Sequence, residues 1–368
     1  MAGRKSSLVQ VTSSLSSRLG GPTFVASQVG ELLQEHFDHL TIVFGMIDID
    51  INIGQFARVS TIFNNRYGFT LRIPNRTALF PLRNADILLI HGFYLYSTLF
   101  ALLISRSTNI FLMPHGSLEK YQERRSMNKK KIFRYLLKKV LRGRTIKFIV
   151  ATNKEVSGIT KLYPRAKVFV VGLGVANPSI ISNTPKKMDS RINLLSLSRI
   201  HNIKRIDISI SAVSLLRDKG VDCILRIVGD GNLQLKHQLV EQVINLSLQH
   251  NVEFLGHQDL DQKNSTIEHS DILLLPSENE NFAIAVGEAI VRGIPVIVSS
   301  NVAMHEFVNE NKTGIVLETL DSCLLANCIV ELYSDYEFYR NNCLNSAHKL
   351  SWEIVIKNWI NVLKADGL

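Results

Sequence analysis

Two carboxylates, Glu280 and Glu288, flank seven residues within the stretch LLLPSENENFAIAVGEAIVRGIPVIVS, residues 273–299. The stretch opens on an apolar run ended by Pro276-Ser277, which predicts a buried strand entering a loop. A carboxylate in that loop can accept hydrogen bonds from sugar hydroxyls. The backbone N–H groups of Asn281, Phe282 and Ala283 would open the following helix and can hold an anion or sugar oxygens. Taken singly, Glu280 reads more readily as a solvated loop charge and Glu288 as a helix-surface charge than as functional groups. A second pair, Arg199 and Lys204, follows another apolar run and could clamp a diphosphate. Bases are also common in surface loops. Gly20-Gly21-Pro22 stands between a strand-like run and a helix-like one, where glycine turns either cradle anions or serve the backbone alone. His91 and His115 each end an apolar run and precede a glycine, a place from which an imidazole can bond a phosphate or a hydroxyl. Asp48-Ile49-Asp50 has a metal-binding spacing, but Asp259-Leu260-Asp261 repeats the three letters elsewhere, and no metal is assigned.

These residues need elements to hold them. Pro276 to Ser300 predicts loop, helix and strand after the strand at 272–275, which is one βαβ unit of a parallel sheet. Ligands in such sheets sit outside the carboxyl ends of the strands. The rhythm of strands and helices runs through 8–171, except over 51–83, which has no clean period. It pauses at ANPSIISNTPKKMDS, residues 176–190, a polar linker with two prolines, and restarts at 192. The expected fold is therefore α/β, with two doubly wound Rossmann-like domains, 1–178 and 179–351. The stretch 320–364 reads as helical.

The chain has 368 residues and a net charge of +10. Eleven Lys or Arg and no acid fall within 124–147, so one stretch carries the whole excess. Residues 129–141 predict a helix with Ile132, Phe133, Leu136, Leu137, Val140 and Leu141 as a core stripe. Lys129, Lys130, Lys131, Arg134, Lys138 and Lys139 lie on its other faces. That charged side could be solvated, or could face an anionic membrane surface. Nucleic-acid binding is not expected, because no recognised binding module accompanies the charge. Ile87–Ile104 is uncharged over 18 residues but divides into strand, turn and helix, and reads as core, not as a membrane span. Four cysteines without a C-x-x-C pair fit a reducing compartment, and the N-terminal residues have no apolar run of signal-peptide length.

The 276–296 string resembles the donor-site signature P-S-x-x-E-x-F-G-x-x-x-x-E-A-x-A-x-G-x-P-V of retaining, glycogen-synthase-like group 1 glycosyltransferases, family 4. It is carried by Pro276, Ser277, Glu280, Phe282, Glu288, Ala289, Gly293, Pro295 and Val296. Arg199 and Lys204 match the family's G-R-x-x-x-x-K, Gly20 and Gly21 its donor-loop glycines, and Ser351-Trp352-Glu353 its closing S-W-E. Departures include Leu173 for an Asn, Ser198 and Arg205 for glycines around the clamp, and Ala283 for the glycine after Phe282. The resemblance implies a two-domain GT-B fold with the domains facing across a cleft, and a last helix, 352–368, that returns to the first domain. It implies a metal-independent, cofactor-free transfer of a sugar from a nucleotide diphosphate sugar. In that scheme Arg199 and Lys204 hold the diphosphate and Gly20-Gly21 closes over it. Glu280 and the 281–283 amides position the sugar, Glu288 bonds the ribose, and His115 touches the sugar or β-phosphate. His91 is the weaker of the two histidine candidates. Charge and analogy extend the expectation to a lipid-linked oligosaccharide acceptor at the inner face of the cytoplasmic membrane, in O-antigen, capsule or exopolysaccharide assembly. A non-catalytic sugar- or lipid-binding partner subunit and a GT-B epimerase are the alternatives.

Overall fold

The computed structural model describes residues 5–13, 21–43, 59–61, 76–119, 127–175 and 191–365. It divides into two compact units, Met1–Leu173 with Val355–Leu368, and Gly174–Ile354.

In chain order the first unit contains β1 (Ser7–Thr12), α1 (Gly21–Leu33), β2 (Asp38–Val43), β3 (Val59–Thr61), α2 (Arg76–Asn84), β4 (Ile87–His91), α3 (Tyr96–Ile104), β5 (Asn109–Met113), α4 (Met127–Leu141), β6 (Ile146–Val150), α5 (Asn153–Leu162) and β7 (Val168–Val170). The second contains β8 (Ile192–Leu197), α6 (Ile206–Asp218), β9 (Cys223–Val228), α7 (Leu233–Asn245), β10 (Val252–Gly256), α8 (Leu260–Glu268), β11 (Ile272–Leu275), α9 (Ile284–Ile290), β12 (Val296–Ser299), α10 (His305–Asn311), β13 (Gly314–Leu317), α11 (Ser322–Ser334) and α12 (Tyr336–Ser346). A final helix, α13 (Trp352–Ala365), closes the chain.

All pairings are parallel. The sheet orders are β3-β2-β1-β4-β5-β6-β7 and β10-β9-β8-β11-β12-β13. Strands such as β4 (ILLIH) and β11 (ILLL) are buried at every position, because helices cover both faces of a parallel sheet. Each unit has its own core. In the first, Val9, Ile42, Leu88, Leu112 and Phe148 pack together. In the second, Leu194, Val213, Leu225, Leu274 and Ile297 do. In both sheets the strand order reverses direction once, between β1 and β4 and between β8 and β11. The loops leaving those strands flank the crevice where such folds bind ligands.

The helix ends have local causes. Asp259 caps α8 by accepting from the Gln262 N–H, and Gln262 bonds back to the Asp259 N–H. The second D-x-D, Asp259-Leu260-Asp261, is thus a capping box. The first, Asp48-Ile49-Asp50, lies outside the described residues. In α13 the buried Trp359 donates its indole N–H to the Gly172 carbonyl at 3.3 Å.

The basic helix α4 departs from expectation. Leu137 is buried and Phe133, Val140 and Leu141 pack against the core, but Ile132 is 61% exposed and Leu136 42%. The stripe that reaches the core is narrower than the sequence pattern. One flank of the helix is apolar and open to solvent, with Tyr135 and Met127 also exposed.

Candidate functional site

In the second unit the loops after β8 and β11 meet. The β8 loop makes a single 3-10 turn, Asn202–Lys204, capped by the His201 ring, which accepts from the Ile203 N–H. The two loops are tied by backbone, since the Glu278 N–H donates to the Ile203 carbonyl at 2.8 Å. Across this tie the Lys204 ammonium forms an ion pair with the Glu280 carboxylate, both side chains only partly exposed. Glu280 is pinned by its own backbone as well. Its N–H donates to the Asn301 carbonyl at 3.3 Å and its carbonyl accepts from the Ala303 N–H at 3.1 Å. Arg199, on the same β8 loop, is exposed.

Two departures from glycine fall where the backbone is left-handed. Arg205 has φ 51 and ψ 44, and Ala283 has φ 61 and ψ 67. Glycine enters that region freely and other residues at a cost of about 1–2 kcal/mol. Arg205 offsets it with bonds to Asp207 and an ion pair with Glu278 at 3.3 Å. Ala283 caps α9 by accepting from the Val286 N–H at 2.9 Å. Phe282 beside it is buried. The Asn281 Oδ1 and the Ser277 Oγ are buried with no partner among the described residues. Gly229 and Gly231 serve packing, because a Cβ on either would run into the Ser198 or Ile200 carbonyl oxygen of the clamp loop. Ser198 itself therefore stands directly against the β9 loop.

Glu288 is not a helix-surface charge. It is buried in α9 and bonded by the Lys263 ammonium of α8 at 2.6 Å. Arg292, one turn on, donates to the Glu288 carbonyl and to Asn264. Sequence reading missed Lys263 because α8 and α9 are brought together only by the sheet.

In the first unit His91 ends β4 and His115 follows β5. The His91 Nδ1 and His115 Nε2 are 3.0 Å apart and the rings stack at 5.2 Å, so one imidazole donates and the other accepts. His91 is buried, and its Nε2 has no partner among the described residues. Burial holds the His91 pKa well below its usual value, with the His115 and His39 rings adding to the effect. Burial lowers His115 to about 4. Both rings are therefore neutral near pH 7. His115 has φ 50, set in a turn whose Gly116 N–H donates to the buried Glu155 carboxylate at 2.7 Å. The other Glu155 oxygen accepts from the Ala151 N–H at 3.0 Å. Thr152-x-x-Glu155 has the spacing of a capping box, the one sequence signal that could have found this carboxylate. It reaches the His115 turn in addition to its own helix start.

Gly21 begins α1, and Gly20 lies outside the described residues. On α4, Lys129, Lys131, Lys138 and Lys139 are exposed, while Lys130 lies over the Tyr94 ring and Arg134 donates to the Tyr94 hydroxyl at 2.7 Å. Leu173 is buried and assigned no ligand contact, and Gly174 lies tight against the Trp352 ring. Among the described residues no group of three or more His, Cys, Asp or Glu side chains is placed to hold a metal ion. No helix among them is long and apolar enough to cross a membrane.

Residues 179–349 match the protein family described as glycosyl transferases group 1. The N-acetyl-alpha-D-glucosaminyl L-malate synthase of Bacillus anthracis is 30% identical over 148 residues, 40% of this chain and 38% of that protein. A putative colanic acid biosynthesis glycosyltransferase, WcaL, of Escherichia coli is 27% identical over 170 residues, 44% of this chain and 41% of that protein. The chain spans under half the length of the first curated relatives it matches. Among solved structures, Anabaena Alr3699/HepE in complex with UDP and glucose aligns with a TM-score of 0.73 at 18% identity, over 98% of this chain and 99% of that one.

Proposed function

Starting from a chain that carries a glycosyl transferases group 1 domain on the GT-B fold, we propose that it transfers a sugar, with retention, from a nucleotide diphosphate sugar to a hydroxyl of a glycan acceptor. The observation that carries this reading is the Lys204–Glu280 pair at the β8/β11 crevice. A cation and a sugar-facing carboxylate stand at one point, where a donor's diphosphate and hexose would adjoin. In this reading Lys204 and Arg199 neutralise charge building on the departing diphosphate, the work a metal does elsewhere. Glu280 then exchanges its Lys204 bond for sugar hydroxyls. Asn281, whose Oδ1 has no partner among the described residues, and the 282–283 amides complete the sugar contacts. Glu288, positioned by Lys263, takes the ribose hydroxyls.

His115, neutral and supported by His91, donates to or accepts from the sugar or the β-phosphate. Gly20 and Gly21 close over the diphosphate. The relative named for colanic acid biosynthesis supports a role in surface-polysaccharide assembly. The basic α4 supports a lipid-linked acceptor at the anionic inner face of the cytoplasmic membrane. No metal or other cofactor is required in this scheme.

The test is thermal stability with UDP, GDP, ADP, CMP and dTDP, with and without magnesium, followed by transfer assays. One diphosphate should stabilise without magnesium, and Arg199→Ala should remove the effect. Glu280→Gln should abolish transfer while keeping nucleotide binding. If no nucleotide binds, the reading fails.

The closed Lys204–Glu280 pair also favours a second reading, a subunit that binds nucleotide sugar without turning it over. In that case a partner's activity survives Glu280→Gln.

A further inference from the structure

The helices α2, α3 and α4 all end at the amino-terminal edge of the first sheet, before β4, β5 and β6. Their ends enclose a groove of about 760 Å³. It lies at the opposite edge of the first sheet from His91 and His115, which stand at the carboxyl ends of the strands. Five residues of strand separate the two edges by about 17 Å. The charged lining is cationic. Arg83 comes from the last turn of α2, Arg106 from just after α3 and Arg142 from just after α4, and all three are exposed. No acidic side chain lines the groove among the described residues.

Helix dipoles explain part of this charge and not the rest. Three helix carboxyl ends bring about −0.5 each, or roughly −1.5 together. Arg144 already serves that purpose. Its guanidinium donates to the carbonyls of Leu102, Ser105, Ser107, Val140 and Leu141, tying the ends of α3 and α4. Arg83, Arg106 and Arg142 are surplus to it. Arg142 takes φ 51, ahead of Gly143 at φ 86, where the chain turns out of α4.

Apart from the buried Ser105 and the carbonyl-bound Arg144, the rest of the lining is apolar, and two of its side chains stand open to solvent. Phe80 is 74% exposed and Leu103 56%. Val140 continues this surface onto the flank of α4 that carries Leu136 and Ile132. That flank runs back along the helix, about 22 Å, toward the carboxyl ends of the strands. A ligand suited to all of this has a compact phosphate for the arginine forks and hydrocarbon for Phe80 and Leu103. Guanidinium is the side chain that matches phosphate bidentately.

We propose that the groove seats the phosphate headgroup of an anionic phospholipid, with Arg83, Arg106 and Arg142 on the phosphate and Phe80 and Leu103 in the acyl region. The α3/α4 layer then lies on the membrane, with the strand ends bearing His115 at one end of the contact and the groove at the other. This rests on the reading that the protein works at a membrane surface, and adds a defined lipid site to it.

The test is flotation of the full chain with vesicles of phosphatidylcholine alone or mixed with phosphatidylglycerol. The wild type should bind the mixed vesicles only. Arg83→Gln/Arg106→Gln/Arg142→Gln should weaken that binding at least tenfold, with circular dichroism, melting and nucleotide binding unchanged. The matching Arg→Lys triple variant keeps the charge and loses the forks, so it should also weaken binding. Phe80→Ser/Leu103→Ser should weaken it at constant charge. Monomeric dihexanoyl phosphatidylglycerol should stabilise the wild type against heat more than inorganic phosphate does.

Three results would overturn the inference: full binding by the Gln variant, full binding by both the Lys and the Ser variants, or phosphate acting as well as the lipid. If Lys131→Gln/Lys138→Gln/Lys139→Gln abolishes binding and the arginine variants do not, the protein docks through α4 alone and the groove is no lipid site. If the wild type ignores both vesicles, the membrane reading itself falls, and the groove with it.

Discussion

At the scale of single residues, Ala283 and the histidine pair make the sharpest statements. Ala283 holds a left-handed conformation at φ 61. Ala283→Gly should therefore stabilise the protein by about 1 kcal/mol, less whatever freedom glycine adds to the unfolded chain. Urea unfolding of the two proteins measures the difference, and a destabilised Gly variant would deny the strain. His91 and His115 are buried neutral, so the unfolded chain takes up protons before the folded one does. Stability contributed by them is complete above about pH 6.5. It falls as pH drops toward about 4, the value of His115. A fall from 6.5 to about 4 corresponds to about 3 kcal/mol. The steepest acid loss should lie between pH 6.5 and 4, and His91→Phe/His115→Phe should flatten it. An unchanged profile in that variant would mean that other groups govern acid unfolding.

At the scale of elements, α4 and the His115 turn separate pattern from packing. Leu136 and Leu137 are adjacent and chemically identical, yet only Leu137 is buried. Leu137→Ala should cost about 2–4 kcal/mol, and Leu136→Ala should stay within about 0.5. Chemical denaturation of the pair checks which flank of the helix the core holds. The turn at His115 hangs on Glu155 of α5, whose carboxylate accepts two backbone N–H groups. Glu155→Gln exchanges a carboxylate oxygen for an amide NH2 that cannot accept. One N–H is left unmet, at a cost of about 1–3 kcal/mol. Loss of activity beyond that expected from stability would show that the turn positions His115.

At the scale of the molecule, there are two units with separate cores. A nucleoside diphosphate at about 100 times its dissociation constant should stabilise the protein by about 2.7 kcal/mol. Hydrogen exchange should then slow most in 198–205 and 276–288, the two loops at the β8/β11 crevice and the helix that follows. Protection centred on the first-unit strands instead would move the donor site. The two parallel sheets were legible from the apolar runs, because a strand covered on both faces needs apolar residues at every position. The basic helix was legible as a helix, but its buried face was not. Six apolar residues at helical spacing describe a stripe wider than the neighbouring elements cover.

The amino-acid sequence by itself determined the alternation of strands and helices, the two doubly wound layers and the motif positions. These depend on continuous apolar runs, on the period of 3.6 and on glycines and prolines at turns, all of them local. Only the tertiary structure decided that Lys204 meets Glu280, that Lys263 meets Glu288, that His91 stacks on His115 and that three arginines from three helix ends share one groove. Each of those pairings joins residues separated by at least one intervening strand or helix. The distance between them is set by sheet order and register, which no local pattern encodes.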